Sequence, residues 1–565
     1  MRSFQLLGGA KQIMTCINDI DIHQDKFQKG VDLINRYLQK RMDEDLGPGV
    51  ALALTDRQKT LAILTQGFAD VMAKKPATSD TLFEIGSISK TFTAIACLQQ
   101  VQADRLDLQA PVTEYLPWFE VGSSYKQPVT IHHLLSHTSG LVGMIDTVPN
   151  SRFQVWQLRN TELGFAPGEH FSYSNLGYVL LGIVLEQVTS LSYSDIICTQ
   201  ILEPLGMYAS EPVLTHDIYD RLARGYWSTH YDDRPAPPSA SPYPAPWFEF
   251  RNASGSVACT AGDLANFLRM LLNRGMGVNG KVLSERYFDL MITPNQGSYG
   301  EYAHGYGLFS GEREDYDGRK FIWSGGEMIG YHAILLGDLV HGIGVVVLIN
   351  GEAYGEAESE FAFKVLSAIL NDKEFPALPA SQPPRTVITD PSLYTGFFIC
   401  ADKSFRLQAE GDQLIMLYRD GRIVLEQWHP GVFYVQHPDF KLALLKVVNK
   451  DGIATEAVHG ADWFWVEDYE GPTTFDYSEE WDAYVGHYHT YSPWMNDYRI
   501  YVRKGQLYLQ WWGMFESLLS PLGKGVFRYG ESDCSPERLR FDAFVAGRAT
   551  RAILSGAEYY RIESP

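Results

Sequence analysis

An α/β domain with a helical insert, followed by two small all-β antiparallel barrels, is the fold the sequence predicts. Three observations lead to it. Helix-period and strand-like segments before residue 65 have counterparts after residue 340, a proline-rich stretch interrupts the chain at 376–385, and the remainder reads as one unit of about 90 residues written twice.

In chain order, residues 25–44 place Phe27, Val31, Ile34, Leu38 and Met42 at helical spacing, and Gly47-Pro48-Gly49 ends the run. Val50 to Leu54 and Leu61 to Leu64 read as strands. A second helix opens near Ser87, because Gly86 precedes it and Phe92, Ile95, Ala96, Leu98 and Val101 follow with helical spacing. Six prolines between Arg234 and Trp247 forbid a helix or central strand there. Ile343 to Ile349 reads as a strand and Glu358 to Leu370 as a helix, so the first and last parts of this domain are expected to share one sheet. The proline-rich stretch 376–385 then ends it. The map is an N-terminal extension at 1–24, the first domain at 25–375, and barrel repeats at 387–470 and 479–565.

The repeats are carried by four matches. Tyr394-Thr-Gly recurs at Tyr484, Gly411-Asp-Gln-Leu at Lys504, Gly431-Val-Phe at Gly525 and Gly460-Ala-Asp at Gly556, at offsets of 90, 93, 94 and 96 residues. Short alternating strands such as Phe405 to Ala409, Leu414 to Tyr418, Arg499 to Val502 and Leu507 to Trp511 are punctuated by Gly and Asp turns, which favours small antiparallel barrels. Trp428, Trp463, Trp465, Trp511 and Trp512 are read as packed core in preference to the lining of a ligand cup.

Composition narrows the function. The chain has 565 residues, 45% of them apolar, more than one hydrophobic core supports. Its 47 basic and 68 acidic side chains give a net charge of −21, which disfavours nucleic acid or an anionic membrane as partner. No apolar run is long enough to span a bilayer. The N-terminus lacks a clear export signal and the six cysteines show no Cys-x-x-Cys, so buried free thiols and a cytoplasmic location are expected. There is no phosphate-cradling loop and no Gly-x-Ser-x-Gly elbow. His132, His133 and His137 lack a ligand array and are read as fixing a helix end and the 136–140 turn, so neither metal nor cofactor is expected.

The chemistry centres on Ser87 and Lys90. Three apart on a helix, they share a face, and a lysine among apolar neighbours loses part of its preference for charge, so its amine can take the serine proton. Ser123 and Lys126 repeat the spacing in a turn-like stretch before Pro128, where no helix holds them together. Two more motifs join Ser87. Tyr173-Ser-Asn175 supplies a phenol and an amide on an extended or looped segment, and the paired glycines of Trp323-Ser324-Gly325-Gly326 mark a strand that approaches a ligand closely.

Gly-Ser-Ile-Ser-Lys-Thr-Phe-Thr (86–93), His-Leu-Leu-Ser-His-Thr-Ser-Gly-Leu (133–141), Pro-Gly-Glu-His-Phe-Ser-Tyr-Ser-Asn (167–175) and Trp-Ser-Gly-Gly (323–326) occur in the order seen in serine β-lactamase-like hydrolases. Over about residues 25 to 370 the chain resembles the class C branch, with its penicillin-binding proteins, D-amino-acid peptidases and small carboxylesterases. The resemblance implies an antiparallel sheet flanked by helices, with a helical subdomain. It also implies Ser87 as the acylated serine, Lys90 as its base, Tyr173 as a second proton carrier and Asn175 as a substrate contact. The backbone N–H groups of Ser87 and Gly326 would form the oxyanion hole, and Trp323, Ser324 and Gly325 would line the substrate strand. Trp323 departs from the Lys or His common in the family. An indole carries no charge, so carboxylate recognition is expected to be weak and a neutral or hydrophobic ester is favoured. The other reading makes Trp323 a packed strand aromatic, with His332 as the substitute cation. The barrels are similar to lipocalin-like appendages of D-aminopeptidase-like members, which keeps amides and short peptides open as substrates. An inactive ligand-binding relative and a homo-oligomer also stay open. In the family arrangement the segment 234–247 would lie near the pocket and shape acyl specificity, or else be an inert surface loop.

Overall fold

The computed structural model describes residues 24–563, apart from 45, 146–149, 228–233, 241, 493 and 531. The expected N-terminal extension, with Cys16, lies almost wholly outside the described residues. The elements that build the first domain are α1 (Gln24–Met42), β1 (Gly49–Asp56), β2 (Thr60–Asp70), α2 (Ser89–Gln102), α3 (Asn175–Thr189), α4 (Ala261–Leu272), β3 (Phe309–Arg313), β4 (Arg319–Met328), β5 (Tyr331–Asp338), β6 (Ile343–Ile349) and α5 (Glu356–Leu370).

Nine strands form the sheet, in the order Ser298–Tyr299, Tyr302–His304, β3, β4, β5, β6, β1, β2, Lys75–Pro76. Every paired neighbour is antiparallel, and β1 meets β6 with Leu52 opposite Val347. The N-terminal hairpin thus docks on the last strand of the domain, as the segment pairing anticipates. α1 and α5 cover one face, where Ile34, Leu38, Val365 and Ile369 bury against Leu52, Val345 and Val347. Each such side chain contributes about 1.5–3 kcal/mol by leaving water. The two helices approach so closely that a β-carbon at Gly30 would lie 2.7 Å from Ile369 Cδ1. On the other face, Leu268 of α4 packs where Gly337 and Gly344 leave room.

The helical part is built round α3, whose residues Leu176 to Leu185 are all buried. A helix apolar on every side is a core helix. No single described helix is long and apolar enough to cross a membrane. Ser123 to Lys126 is an exposed loop, as its turn-like sequence requires.

By contacts the chain divides into two compact units, one of 1–144, 148–226 and 244–380, the other of 145–147, 227–243 and 381–565. In the second unit, Gly486–His489 to Ala557–Ile562 close into an eight-stranded barrel. The preceding repeat forms nine strands in a ring left unbonded between Gly421–Val424 and Glu426–His429. Those two pieces correspond to the single long strand Phe515–Gly523 of the second repeat, so the first barrel is the same eight strands with one broken at Leu425. Trp463 is buried and donates its indole N–H to Glu456 at 2.6 Å, with Lys504 over its ring. The barrel core itself is Phe398, Phe405, Leu414, Phe433, Phe440 and Phe464, with no tryptophan. Of the tryptophans read as core, Trp463 is buried, against Trp465, Tyr469 and Phe475, whereas Trp428, Trp465, Trp511 and Trp512 are part-exposed. The part of the 234–247 segment before Pro244 belongs to this unit, with Pro235 against Gly513 and the Ser239 N–H bonded to Glu426 at 2.9 Å. Of the cysteines described, Cys97 and Cys259 are buried free thiols, while Cys198, Cys400 and Cys534 are part-exposed.

Candidate active site

The strand Phe83–Glu84 turns through Gly86–Ile88 directly into α2. Gly86 sits at φ +49°, and a β-carbon there would lie 2.6 Å from the Glu327 nitrogen, so only glycine fits. Within 81–90, Ser87 alone is not buried. Its N–H, on the first turn, has no intrahelical acceptor and is available to a developing anion.

Lys90, one helical turn on, is 2% exposed. Its Nζ donates to Ser87 Oγ at 3.0 Å and to the Ser254 carbonyl at 2.8 Å, and lies 4.9 Å from the Tyr173 ring centroid. Burial alone pulls its pKa from 10.5 to about 7. The Tyr173 phenol, also hydrogen-bonded to Ser87, moves the other way, to about 12: burial raises it and the Ser87 bond opposes the rise. The residue as a whole is 40% exposed, which moderates that shift. The contrast assigns the proton roles the site can support. At neutral pH the amine is half uncharged and can accept a proton, whereas the phenol holds its own and can donate.

Gly326 on β4 abuts this turn. A β-carbon at Gly326 would overlap the Ile85 carbonyl and lie 3.0 Å from the Ser87 nitrogen. Ser324, two residues back on the same face, is buried. Trp323 and Gly325 take the opposite face, the indole folding over Gly325 so closely that a β-carbon there would lie 2.9 Å from its ring. Trp323 packs with Phe309 and Tyr302, at centroid distances of 5.4 and 6.3 Å, and against the α1 and α5 core. His332 bonds the Gly351 carbonyl at 2.9 Å and meets the Tyr354 ring edge-on, so no described contact makes it a stand-in for a pocket cation.

Asn175 is the first residue of α3, with Ser174 as the N-cap, so the motif ends on a helix and not wholly on a loop. Its Nδ2 makes a 3.5 Å contact with Met144 Sδ, a weak acceptor that leaves the amide able to serve a substrate carbonyl.

Three participants escape sequence reasoning. Ser254 contributes only a backbone carbonyl, which no side-chain motif can reveal. His137, expected only to fix a turn, also bonds the Ser174 N–H at 3.1 Å and stacks on Tyr173. His304, which packs on His137 at 4.9 Å, carries no signal at all. His132 bonds Tyr306 at 2.7 Å, and His133 closes a capping box with Thr130, the helix-fixing role expected. Among the described residues, no group of His, Cys, Asp and Glu is arranged to hold a metal ion.

The β-lactamase family model matches residues 34–368. The chain is 28% identical over 316 residues to Protein flp of Staphylococcus aureus (strain NCTC 8325 / PS 47), covering 54% of this chain and 59% of that protein. It is 27% identical over 379 residues to Penicillin-binding protein 4* of Bacillus subtilis (strain 168), covering 64% and 81%. The chain thus spans about three fifths of the Staphylococcus relative's length. Among solved structures, an octameric penicillin-binding protein homologue from Pyrococcus abyssi aligns with a TM-score of 0.53 at 24% identity, over 77% of this chain and 99% of that one. EstCE1, described as a hydrolase with promiscuous acyltransferase activity, aligns with a TM-score of 0.50 at 21% identity, over 62% and 100%. At those identities the structures speak for the fold. With a matched segment covering more than half of the chain, this protein belongs to the β-lactamase family.

Proposed function

We propose that the protein hydrolyses neutral or hydrophobic carboxylic esters through an acyl-enzyme on Ser87. The observation that carries this reading is the 3.0 Å contact between a buried, largely desolvated Lys90 amine and the part-exposed Ser87 hydroxyl. Lys90 takes the Ser87 proton as the oxygen attacks the carbonyl. The oxyanion meets the N–H groups of Ser87 and Gly326, and Tyr173 protonates the leaving alcohol. Water then releases the acid. Asn175 holds the substrate carbonyl. Trp323 brings no positive charge to this strand to meet a carboxylate, which supports neutral or hydrophobic esters.

Ser87→Ala is expected to abolish both turnover of p-nitrophenyl esters and covalent labelling by a fluorophosphonate; undiminished labelling would discard the mechanism. A second reading, cleavage of amides or short peptides, is favoured by the appended barrels and by relatives named as penicillin-binding proteins. Rates on p-nitrophenyl esters against D-amino-acid amides separate the two. If Trp323 excludes acidic substrates, Trp323→His gains on a chromogenic cephalosporin. Lack of labelling by every serine-directed probe would favour the inactive ligand-binding relative. The octameric homologue supports a homo-oligomer, which light scattering on the intact protein tests.

A further inference from the structure

We propose that His137 is the positioning residue that holds Tyr173 against Ser87 and Lys90, through an imidazole fixed in its Nε2–H tautomer. The inference rests on the reading of Tyr173 as proton carrier.

His137 bonds the chain on both sides of Tyr173. Its carbonyl accepts the Ser172 N–H at 2.8 Å, and its Nδ1 accepts the Ser174 N–H at 3.1 Å. Tyr173 is suspended between two hydrogen bonds to one residue. The imidazole also lies on the Tyr173 ring, 4.3 Å between centroids and 31° between planes. To reach both positions, His137 takes φ +56°, a left-handed conformation that only a few per cent of non-glycine residues adopt, histidine more often than most. Such a residue persists only where its surroundings hold it, and the held object here is the loop that carries Tyr173.

Tautomer follows from geometry. A nitrogen that accepts from an N–H carries no proton, so the uncharged ring is protonated at Nε2. An imidazolium would set an Nδ1–H against the Ser174 N–H and break the clamp. The groups round the ring keep it neutral. Tyr173, Tyr178, Phe171, His304 and the Lys90 amine face it, and none is a carboxylate. Burial first, then His304 and Lys90, hold its pKa well below the ordinary histidine value. A neutral His137 in turn adds no charge beside Lys90, whose amine must stay uncharged to accept the Ser87 proton.

Two variants separate the acceptor from the ring. An asparagine at this position would place an amide oxygen where Nδ1 lies and tolerates left-handed φ, so His137→Asn is expected to keep kcat within about fivefold of the parent. His137→Phe retains an aromatic ring but no acceptor, and is expected to lose kcat by roughly 100-fold, because a small displacement of a proton carrier costs that much. KM should change less than about threefold in both, since the residue does not touch substrate. Equal loss in the two variants, or undiminished kcat in His137→Phe, overturns the proposal. Should either variant fail to fold, long-range ¹H–¹⁵N spectra of the unmodified protein decide: an unprotonated His137 Nδ1 at pH 7 supports the clamp, and a protonated one overturns it. Tyr173→Phe tests the underlying reading separately. If that variant turns over normally, the proton-carrier assignment falls; if it is inactive while His137→Phe is active, only the clamp falls.

Discussion

At the scale of single residues, the site depends on where one proton sits. Lys90 is held near pKa 7 by burial, so kcat/KM is expected to rise as pH passes about 7 and Lys90 loses its proton. A pH profile that is flat from 6 to 8.5 would contradict this assignment. The same shift has a stability consequence. Between about pH 7 and 10.5 the folded state binds fewer protons at Lys90 than the unfolded chain, so this group's penalty is full below about 7 and fades as pH rises to 10.5. The shift corresponds to about 5 kcal/mol as an order of magnitude. Lys90→Met should therefore abolish turnover while stabilising the fold at pH 7 by about 1–3 kcal/mol, the loss of two hydrogen bonds offsetting part of the gain. Thermal unfolding checks the sign. The pair is legible in sequence because a helix sets the three-residue spacing. The partner carbonyl of Ser254, 2.8 Å from the amine, is not, because a backbone oxygen has no residue type.

Among elements, the decisive contact is between the turn that opens α2 and strand β4. Gly86 faces the Glu327 backbone and Gly326 faces the backbones of Ile85 and Ser87, and each leaves no room for a β-carbon. Gly326→Ala must displace Ile85 or Ser87 and misalign the oxyanion donors, with kcat expected to fall by about 100-fold. Unaltered kcat, measured beside an unaltered Tm, would show that Gly326 has no part in the oxyanion site. The paired glycines are readable as a close approach, but not what approaches them. The Tyr-x-Asn motif reads as loop, yet Asn175 begins α3: the Ser174 hydroxyl caps that helix by bonding the Gly177 N–H at 3.1 Å. Serine followed by a long apolar run carries that signal. Trp323 shows the opposite limit, since an aromatic on a strand reads alike whether it lines a pocket or packs against Tyr302 and Phe309.

For the molecule as a whole, the barrel unit joins its two repeats through Glu516, which accepts from Arg503 at 2.9 Å, Tyr501 at 2.7 Å and, across the repeat boundary, Lys446 at 3.3 Å. Arg503 also donates to the Gly460 carbonyl of the first repeat. Burial opposes ionisation of Glu516, but the Arg503 bonds and charge outweigh it and hold the pKa at about 2. Its contribution is therefore complete above about pH 4.5 and lost as pH falls through 2. Glu516→Ala leaves Arg503 buried without its carboxylate and is expected to cost about 3 kcal/mol. Calorimetry of the intact protein, with hydrogen exchange in 445–450 and 515–523, checks this; a shift of less than about 1 °C in Tm would refute it. The duplication behind the barrels is legible in the four matched turns, whereas the break at Leu425 and the seating of Pro235 on Gly513 are not. By itself the sequence determined the pairing of Ser87 with Lys90, the order of the motifs and the repeated unit, because helical spacing, turn chemistry and alternation act between near neighbours. Only the tertiary structure decided that Ser254, His137, Tyr173 and Gly326 converge on Ser87, because their meeting depends on burying surfaces from distant segments and on glycines that let two backbones touch.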